Sequence, residues 1–223
     1  MTESLRKLLA DLHAERVATW KPEALRVNVN QRQTLVETAN PGAWIKTGDR
    51  IPEFSLTEVD GGQLTLESLT AEGPAVLVFF RFATCPACNI ALPYYARNLW
   101  PRLKTLGASL TAVSPQVPER LVEIKRTHAL SFNVASDLGN ALGRKLGILY
   151  EFDDASKASA RAKGGFIGDT TGTGTWELPM PTVVVIGAAG QAAFVDVSPD
   201  WLVRTEAEPI LAVLRALTLT KAA

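Results

Sequence analysis

The sequence predicts an α/β protein whose central mixed β-sheet is flanked by helices. From residue 75 onward, short apolar runs bounded by turn residues alternate with segments of helical periodicity. One of these runs, residues 75–82, leads directly into the Cys-x-x-Cys pair of Cys85 and Cys88. The 223 residues, 47% of them hydrophobic, suffice for one sizeable core. We therefore expect a main domain over 46–223, preceded by a helical extension over 1–45.

The N-terminal extension carries two helical patterns. An apolar stripe predicts an amphipathic helix over 3–18, and Pro22, at a first-turn position, predicts a second helix to about Thr38. The stripe consists of Leu5, Leu8, Leu9, Leu12 and Val17. Such a stripe either docks on the domain's own core or forms a homodimer contact.

The main domain is predicted from alternating patterns and turn signals. A β-hairpin over 54–66 is expected before the core, because two short β patterns flank an Asp-Gly-Gly turn. The next predicted elements are strands over 75–82, 109–114 and 132–136, and helices over 86–106, 117–129 and 139–147. A second hairpin over 180–197 and a last helix over 205–219 complete the prediction.

Residues 151–178 interrupt this rhythm with a segment rich in glycine and threonine. A phosphate-binding loop would need a preceding strand and a Lys-Ser or Lys-Thr after the glycines, and the segment has neither. We therefore expect a flexible insertion, with a lid over the two thiols as one role for it.

Composition excludes several classes of function. Lys plus Arg and Asp plus Glu number 23 each, so there is no basic surplus for nucleic acid or for an anionic membrane surface. Apolar runs stay shorter than the roughly 18 residues of a membrane span. One cysteine pair spaced for redox cycling does not require an oxidising compartment, so we expect a cytoplasmic protein.

The Cys-x-x-Cys pair carries the chemistry. A strand ending near Thr84 would deliver Cys85 to the first turn of the next helix, beside free amides and the positive end of the helix dipole. Such a site lowers a cysteine pKa from about 8.5 to roughly 3.5–7.5, which yields the nucleophilic thiolate. Cys88, one turn later, can close a disulfide with Cys85, and Pro86 and Thr84 flank the nucleophile as candidate substrate contacts.

Two other interpretations of the cysteines are weaker. A zinc site needs about four ligands, but the chain has two cysteines and two separated histidines, His13 and His128, so no metal is expected. Two inert core cysteines would seldom fall in Cys-x-x-Cys directly after a strand. Arg81, four residues before Cys85, is either a solvated arginine or a source of positive charge for a thiolate or a peroxide oxygen.

The order of elements and three local motifs resemble the thioredoxin-fold superfamily. In that group a strand leads to Cys-x-x-Cys at a helix start, the helix contains a proline five residues after the second cysteine, and a cis-proline followed by threonine opens a later strand. Here these positions are Cys85 and Cys88, Pro93, and Pro181 with Thr182. The resemblance implies a thioredoxin-like fold. It also implies that Pro181, with Met180 and Thr182 beside it, shapes the substrate groove.

Over roughly 46–217 the chain looks most like the peroxiredoxin-like branch, the alkyl hydroperoxide reductase and thiol-specific antioxidant group. The stretches that carry this resemblance are 48–56, 106–116 and 136–140. Peroxiredoxins typically read Pro-x-x-x-Thr-x-x-Cys; with their reactive cysteine aligned on Cys88, the proline becomes Arg81 and the threonine becomes Cys85. The arginine usually supplied near Val183 is absent as well. The dithiol pair, in contrast, is complete.

These features lead to three functional hypotheses. The main one is a thiol-disulfide oxidoreductase in which Cys85, expected to be the more exposed sulfur, attacks a disulfide and Cys88 resolves the mixed disulfide. The alternative is a thiol peroxidase reducing hydrogen peroxide or alkyl hydroperoxides. In that case the peroxiredoxin alignment favours Cys88 as the attacking sulfur, whereas the expected accessibility favours Cys85. The third is a redox-sensing interaction module. No nicotinamide or flavin fingerprint is present, so no cofactor is expected, and electrons would come from a dithiol protein or glutathione.

Overall fold

The computed structural model describes residues 3–221 and contains ten α-helices and nine strands in that part of the chain. The helices are α1 (Leu5–Thr19), α2 (Pro22–Glu37), α3 (Leu66–Thr70), α4 (Pro86–Asn98), α5 (Trp100–Thr105), α6 (Pro118–Thr127), α7 (Ala141–Lys145), α8 (Asp154–Arg161), α9 (Ile167–Thr171) and α10 (Ala207–Lys221). The strands are β1 (Ser55–Glu58), β2 (Gln63–Thr65), β3 (Ala75–Phe79), β4 (Ser109–Ser114), β5 (Asn133–Ser136), β6 (Leu149–Glu151), β7 (Glu177–Pro179), β8 (Thr182–Ile186) and β9 (Ala192–Val197).

A seven-stranded mixed sheet organises the molecule in the order β2-β1-β5-β4-β3-β8-β9. Strand β3 pairs in parallel with β4 and antiparallel with β8, so the strand that leads to the cysteines lies inside the sheet. Both predicted hairpins form, as β1 with β2 and β8 with β9. The α/β class with a central mixed sheet is confirmed.

The neighbouring strands β3 and β8 are buried on both faces. Every residue of β3 and of β8 is buried, which explains why each reads as a continuous apolar run. One apolar cluster joins α1, α4 and α10 on one face of the sheet, and a second joins β1, α3 and α7 on the other. Helix α4, which begins beside the cysteines, therefore lies in the core.

Helix α1 docks on the core of its own chain. Leu5 and Leu9 are 0% and 1% exposed and belong to the cluster that contains α4. The carboxylate of Glu206 accepts hydrogen bonds from the backbone amides of Leu5 and Arg6 at the start of this helix. Val17, which the apolar stripe places inside, is instead 56% exposed. The stripe thus ends before Val17, and Arg16 takes the buried position.

Two predicted elements are shorter than expected. Strand β3 ends at Phe79 rather than at residue 82, since the chain turns away from the sheet before the cysteines. The helix expected over 86–106 divides at Leu99 into α4 and α5, and Pro101 lies in the first turn of α5, where a missing amide costs nothing. Within residues 3–221, no helix combines the length and apolarity needed to cross a bilayer.

The expectation of a flexible insertion over 151–178 is wrong. Helices α8 and α9 occupy much of this segment, and the antiparallel pair of β6 and β7 closes its base. Aromatic side chains give it a small core of its own, with Phe166 and Trp176 in ring contact at 4.8 Å between centroids. Because α8 packs against α2, the insertion and the N-terminal extension lie next to each other.

Candidate active site

A short turn carries the chain from β3 to Cys85, which is the residue that caps the start of α4. Two side chains from elsewhere hold this turn: Gln116 accepts a hydrogen bond from the amide of Ala83 at 2.6 Å, and Ser114 donates to the carbonyl of Arg81 at 2.8 Å. Asn89, on α4, donates to the carbonyl of Ala83. These bonds fix the backbone that presents Cys85.

Both cysteines are free thiols, and both are completely buried at 0% exposure. The expectation that Cys85 is the more exposed sulfur is therefore wrong. It assumed a bare helix start, whereas both sulfurs belong to the same apolar cluster as Leu5 and Leu9 of α1. The N-terminal extension thus contributes to the core that encloses the thiols.

The charge around Cys85 favours its thiolate. Burial alone would raise the pKa of Cys85, but a hydrogen bond from the Cys88 thiol and the positive charges of Arg81 and Arg204 hold it well below its ordinary value. The guanidinium of Arg81 donates to Sγ of Cys85 at 3.3 Å. The surroundings of this sulfur thus favour its ionised form, with a charged donor beside it in a buried site.

Cys88 has the opposite character. Burial and the neighbouring Cys85 sulfur raise the pKa of Cys88 well above its ordinary value, so this cysteine stays a thiol while Cys85 ionises. Nη2 of Arg204 lies 3.6 Å from Sγ of Cys88. The pair is therefore divided into one nucleophilic sulfur and one protonated sulfur beside it.

Arg81 is a buried, positioned side chain and not a solvated one. It is 8% exposed, donates to the hydroxyl of Tyr150 at 3.3 Å, and lies 4.6 Å from the ring centroid of Trp201. Burial would lower the pKa of Arg81, but the Cys85 sulfur and the Tyr150 hydroxyl raise it, so the guanidinium remains charged. Tyr150 in turn stacks on Trp201.

The other site residues predicted from the sequence differ in their exposure. Thr84 and Pro86 are exposed on either side of Cys85. Met180 is buried in the aromatic cluster with Tyr150 and Trp201, and its carbonyl accepts a hydrogen bond from the hydroxyl of Thr182. Pro181 is buried beside them. The expectation of a cis peptide bond at Pro181 is wrong, since no cis peptide bond occurs in residues 3–221.

Sequence reasoning missed two arginines that act on the thiols. Arg204 comes from a loop 116 residues beyond Cys88, and no local pattern marks it. Arg16, which is 5% exposed, carries a charge that acts on Cys85. A signal for Arg16 did exist, because it continues the helical face of Leu9 and Leu12 and so stands at a buried position of α1.

Comparison with known families places the chain in a known group. The model of the AhpC/TSA family matches residues 47–194, which is more than half of the chain. The chain belongs to the AhpC/TSA family. This result confirms the peroxiredoxin-like resemblance, and the match begins after α1 and α2, so the two helices that help to enclose the thiols lie outside it.

Individual relatives agree with the family. Peroxiredoxin Bcp of Escherichia coli is 30% identical over 105 residues, which cover 47% of this AhpC/TSA chain and 65% of that protein. A putative peroxiredoxin of Mycobacterium tuberculosis is 31% identical over 91 residues, covering 40% of the chain and 56% of that protein. The chain thus spans less than two thirds of the length of these curated relatives.

Solved structures confirm the thioredoxin-like fold of this family member. Peroxidoxin BcpB from Mycobacterium tuberculosis superposes with a TM-score of 0.59 at 23% identity, covering 77% of this chain and 97% of that one. A putative protein disulfide isomerase from Bacteroides thetaiotaomicron superposes with a TM-score of 0.54 at 17% identity, covering 79% and 91%. At these identities the likeness concerns the fold alone.

Proposed function

We propose that this chain is a peroxiredoxin-like thiol oxidoreductase that cycles Cys85 and Cys88 between dithiol and disulfide. The observation that carries the proposal is the Arg81 guanidinium 3.3 Å from Sγ of Cys85, with the Cys88 thiol donating to the same sulfur. A lowered pKa on one sulfur and a raised pKa on its neighbour supply a nucleophile and a resolving thiol.

Two classes of oxidant are compatible with this cysteine pair. In the disulfide branch, the Cys85 thiolate attacks a substrate disulfide, one substrate sulfur leaves as a thiolate, and Cys88 then displaces the other sulfur. In the peroxide branch, Cys85 attacks one oxygen of a hydroperoxide; an S–O bond forms, the O–O bond breaks, and the other oxygen takes a proton and leaves as an alcohol or water. Cys88 then attacks the sulfenic sulfur and releases water.

The burial of the nucleophile favours peroxide as a second candidate oxidant. Sγ of Cys85 is enclosed in this conformation, so a small hydroperoxide reaches it more easily than a protein disulfide, which requires the helix start to open. Arg81 can stabilise the negative charge that develops on the leaving oxygen, as a guanidinium does at other oxyanion sites. The peroxidase threonine is missing, so Arg81 and Arg204 are the polar groups available for this work.

The remaining expectations belong to the same proposal. A dithiol protein or glutathione would reduce the Cys85–Cys88 disulfide, which needs two electrons per cycle. The proposal includes a cytoplasmic location, where such reductants are abundant, and a division into an extension over 1–45 and a redox domain over 46–223. Homodimer formation remains a prediction, with Leu5 and Leu9 unable to serve because they are buried within the chain.

Trapping experiments on single-cysteine variants test the proposal. Reduced Cys88→Ser protein, treated separately with a hydroperoxide and with a model disulfide, should accumulate a sulfenic acid or a mixed disulfide on Cys85 by mass spectrometry. The matched Cys85→Ser variant should react far more slowly, because Cys88 stays protonated. Faster modification of Cys88 than of Cys85 would overturn the assignment of roles.

A further inference from the structure

A cavity of about 270 Å³ lies between the N-terminal extension and the insertion, with Arg81 in its wall. Helix α2 lines one side and α8 the other, and Trp201 lines it near Arg81. Because Arg81 also contacts Cys85, a ligand in this cavity lies one residue away from the reactive sulfur.

The cavity is electropositive. Arg81 and Lys163 line it, and no aspartate or glutamate does so among the residues described. Arg16 adds charge nearby, with its guanidinium 4.9 Å from the ring centroid of the lining Trp20. Three guanidinium groups, from Arg16, Arg81 and Arg204, act on Cys85; the thiolate and the carboxylate of Glu15, which acts on Arg16, offset part of this charge. The remaining positive charge favours a bound anion.

Three residues of the cavity wall also carry buried N–H groups without a hydrogen-bond partner. Gln31, Arg81 and Trp201 line the cavity and are 3%, 8% and 2% exposed, and each has a buried N–H group without a hydrogen-bond partner: Nε2, Nε and Nε1 respectively. Buried donors left unpaired are costly, so an acceptor bound beside them would offset this cost. Asn28 adds one unpartnered acceptor oxygen, which suits a hydroxyl on the ligand.

The rest of the wall is apolar. Val27, Phe82 and Phe152 line the cavity together with Trp20 and Trp201. An inorganic anion would leave this surface uncovered, whereas an organic acid covers it while its carboxylate accepts from the donors. The cavity therefore matches a small monocarboxylate with an aromatic or branched body.

We propose that this cavity binds the carboxylate of a small apolar organic acid, and that the oxidant reduced by Cys85 is a hydroperoxide of such an acid. The second half rests on the proposed function: Cys85 would take one peroxide oxygen and leave the corresponding hydroxy acid. The first half is independent of it. Selectivity then resides in Gln31 of α2, a helix outside the segment that matches the AhpC/TSA family.

Binding of an inert acid tests the proposed carboxylate site. Titration calorimetry on the reduced full chain compares benzoate with benzyl alcohol, a neutral molecule of similar shape. We expect benzyl alcohol to bind about tenfold more weakly, because it lacks the charge that the donors and arginines recognise. Benzoate should also slow the alkylation of Cys85 by iodoacetamide, since both occupy neighbouring space.

Matched glutamine variants on α2 assign the effect to the cavity. Gln31→Leu should weaken benzoate binding several-fold, whereas Gln33→Leu should leave it unchanged, because Gln33 is exposed and its side chain bonds to Glu37 at the surface. Circular dichroism checks that both variants fold.

The outcomes separate the two proposals. Equal binding of benzoate and benzyl alcohol, no binding of either, or equal effects of the two glutamine variants would overturn the carboxylate site while leaving the redox cycle intact. Benzoate binding in a protein that hydroperoxides fail to oxidise would support the site and refute the peroxide branch. With both intact, carboxylate-bearing hydroperoxides should oxidise the protein faster than neutral ones, and Gln31→Leu should reduce that preference.

Discussion

At the residue scale, the site depends on a buried electrostatic interaction between the guanidinium of Arg81 and the sulfur of Cys85. The thiolate is enclosed, so it cannot be stabilised by bulk water, and Arg81 and the Cys88 thiol supply that stabilisation. Arg81 is itself fixed by the Tyr150 hydroxyl and by the face of Trp201, which leaves its guanidinium aimed at the sulfur. The lowered pKa of Cys85 therefore depends on the Cys88 thiol and on Arg81, a side chain on the turn before it.

Replacing Arg81 tests this relation. Arg81→Gln removes the positive charge, so the pKa of Cys85 should rise and the thiolate fraction should fall. At any pH below the pKa, a rise of the pKa by about one lowers the thiolate fraction about tenfold. Alkylation of Cys85 by iodoacetamide, followed from about pH 4 to 10, measures the change. In the native protein the rate should fall only as the pH drops through the lowered pKa of Cys85; in the variant the fall should begin at higher pH.

The matched control for this change is Arg126→Gln. Arg126 is exposed on α6, so its replacement should leave the pH profile in place. Coincident profiles for the native protein and Arg81→Gln would show that Arg81 does not hold the thiolate.

At the element scale, the carboxylates of Glu206 and Glu3 link the start of α1 to the redox helix α4. Glu206 accepts hydrogen bonds from the hydroxyls of Ser4 and Tyr94, at 2.8 and 2.6 Å, and from two amides at the start of α1. Tyr94 belongs to α4, so this carboxylate links the N-terminal extension to the helix that begins at the thiols. Burial would raise the pKa of Glu206, but these donors hold it below its ordinary value.

Neutralising that carboxylate should loosen α1. Glu206→Gln replaces a charged acceptor of four hydrogen bonds, so the free energy of unfolding should fall by about 1–2 kcal/mol in urea titrations. Because the pKa of Glu206 is lowered by folding, its contribution is fully present above its unfolded value of about 4.3 and is lost as the pH falls through the folded value.

A neighbouring glutamate serves as the control. Glu208→Gln changes an exposed residue whose ion pairs with Arg102 and Arg215 lie at the surface, so stability should stay unchanged. If both variants unfold at the same urea concentration as the native protein, Glu206 is not the anchor of α1.

Elements were predictable from sequence where periodicity decides them. Strands β3 and β8 read as apolar runs because they are buried on both faces, and α1 and α2 follow their helical spacing. The insertion was not predictable in this way, because its stability comes from aromatic contacts such as Phe166 with Trp176, which depend on tertiary packing. Pattern reasoning detects local periodicity and does not detect such pairings.

The candidate site was predictable only in part, for the same reason. Cys85 and Cys88 stood out through their spacing after a strand, and Arg81 through its proximity in sequence. Arg204 meets Cys88 from 116 residues away, so only the folded chain brings it there. The burial of Cys85 was also hidden, since α1 and the aromatic cluster that help to enclose the site are distant in sequence.

At the scale of the whole molecule, the thioredoxin-like domain and its additions share one site. The segment that matches the AhpC/TSA family supplies both cysteines and Arg81, whereas Arg16 comes from the extension and Arg204 from beyond residue 194. The insertion contributes α8, which faces α2 across the cavity beside Arg81. The segment that matches the family provides the cysteine pair, and α1 of the extension helps to enclose it.

Rapid mixing of the fully reduced protein with a hydroperoxide tests the central claim most directly. Tryptophan fluorescence follows the reaction, since Trp201 lies 4.6 Å from the guanidinium that contacts Cys85, and thiol titration counts the cysteines lost. The account predicts oxidation whose rate rises with peroxide concentration and exceeds that of a free thiolate, ending in a Cys85–Cys88 disulfide with both thiols lost. If both thiols remain free after mixing with a hydroperoxide, and again after mixing with a model disulfide, the account is contradicted.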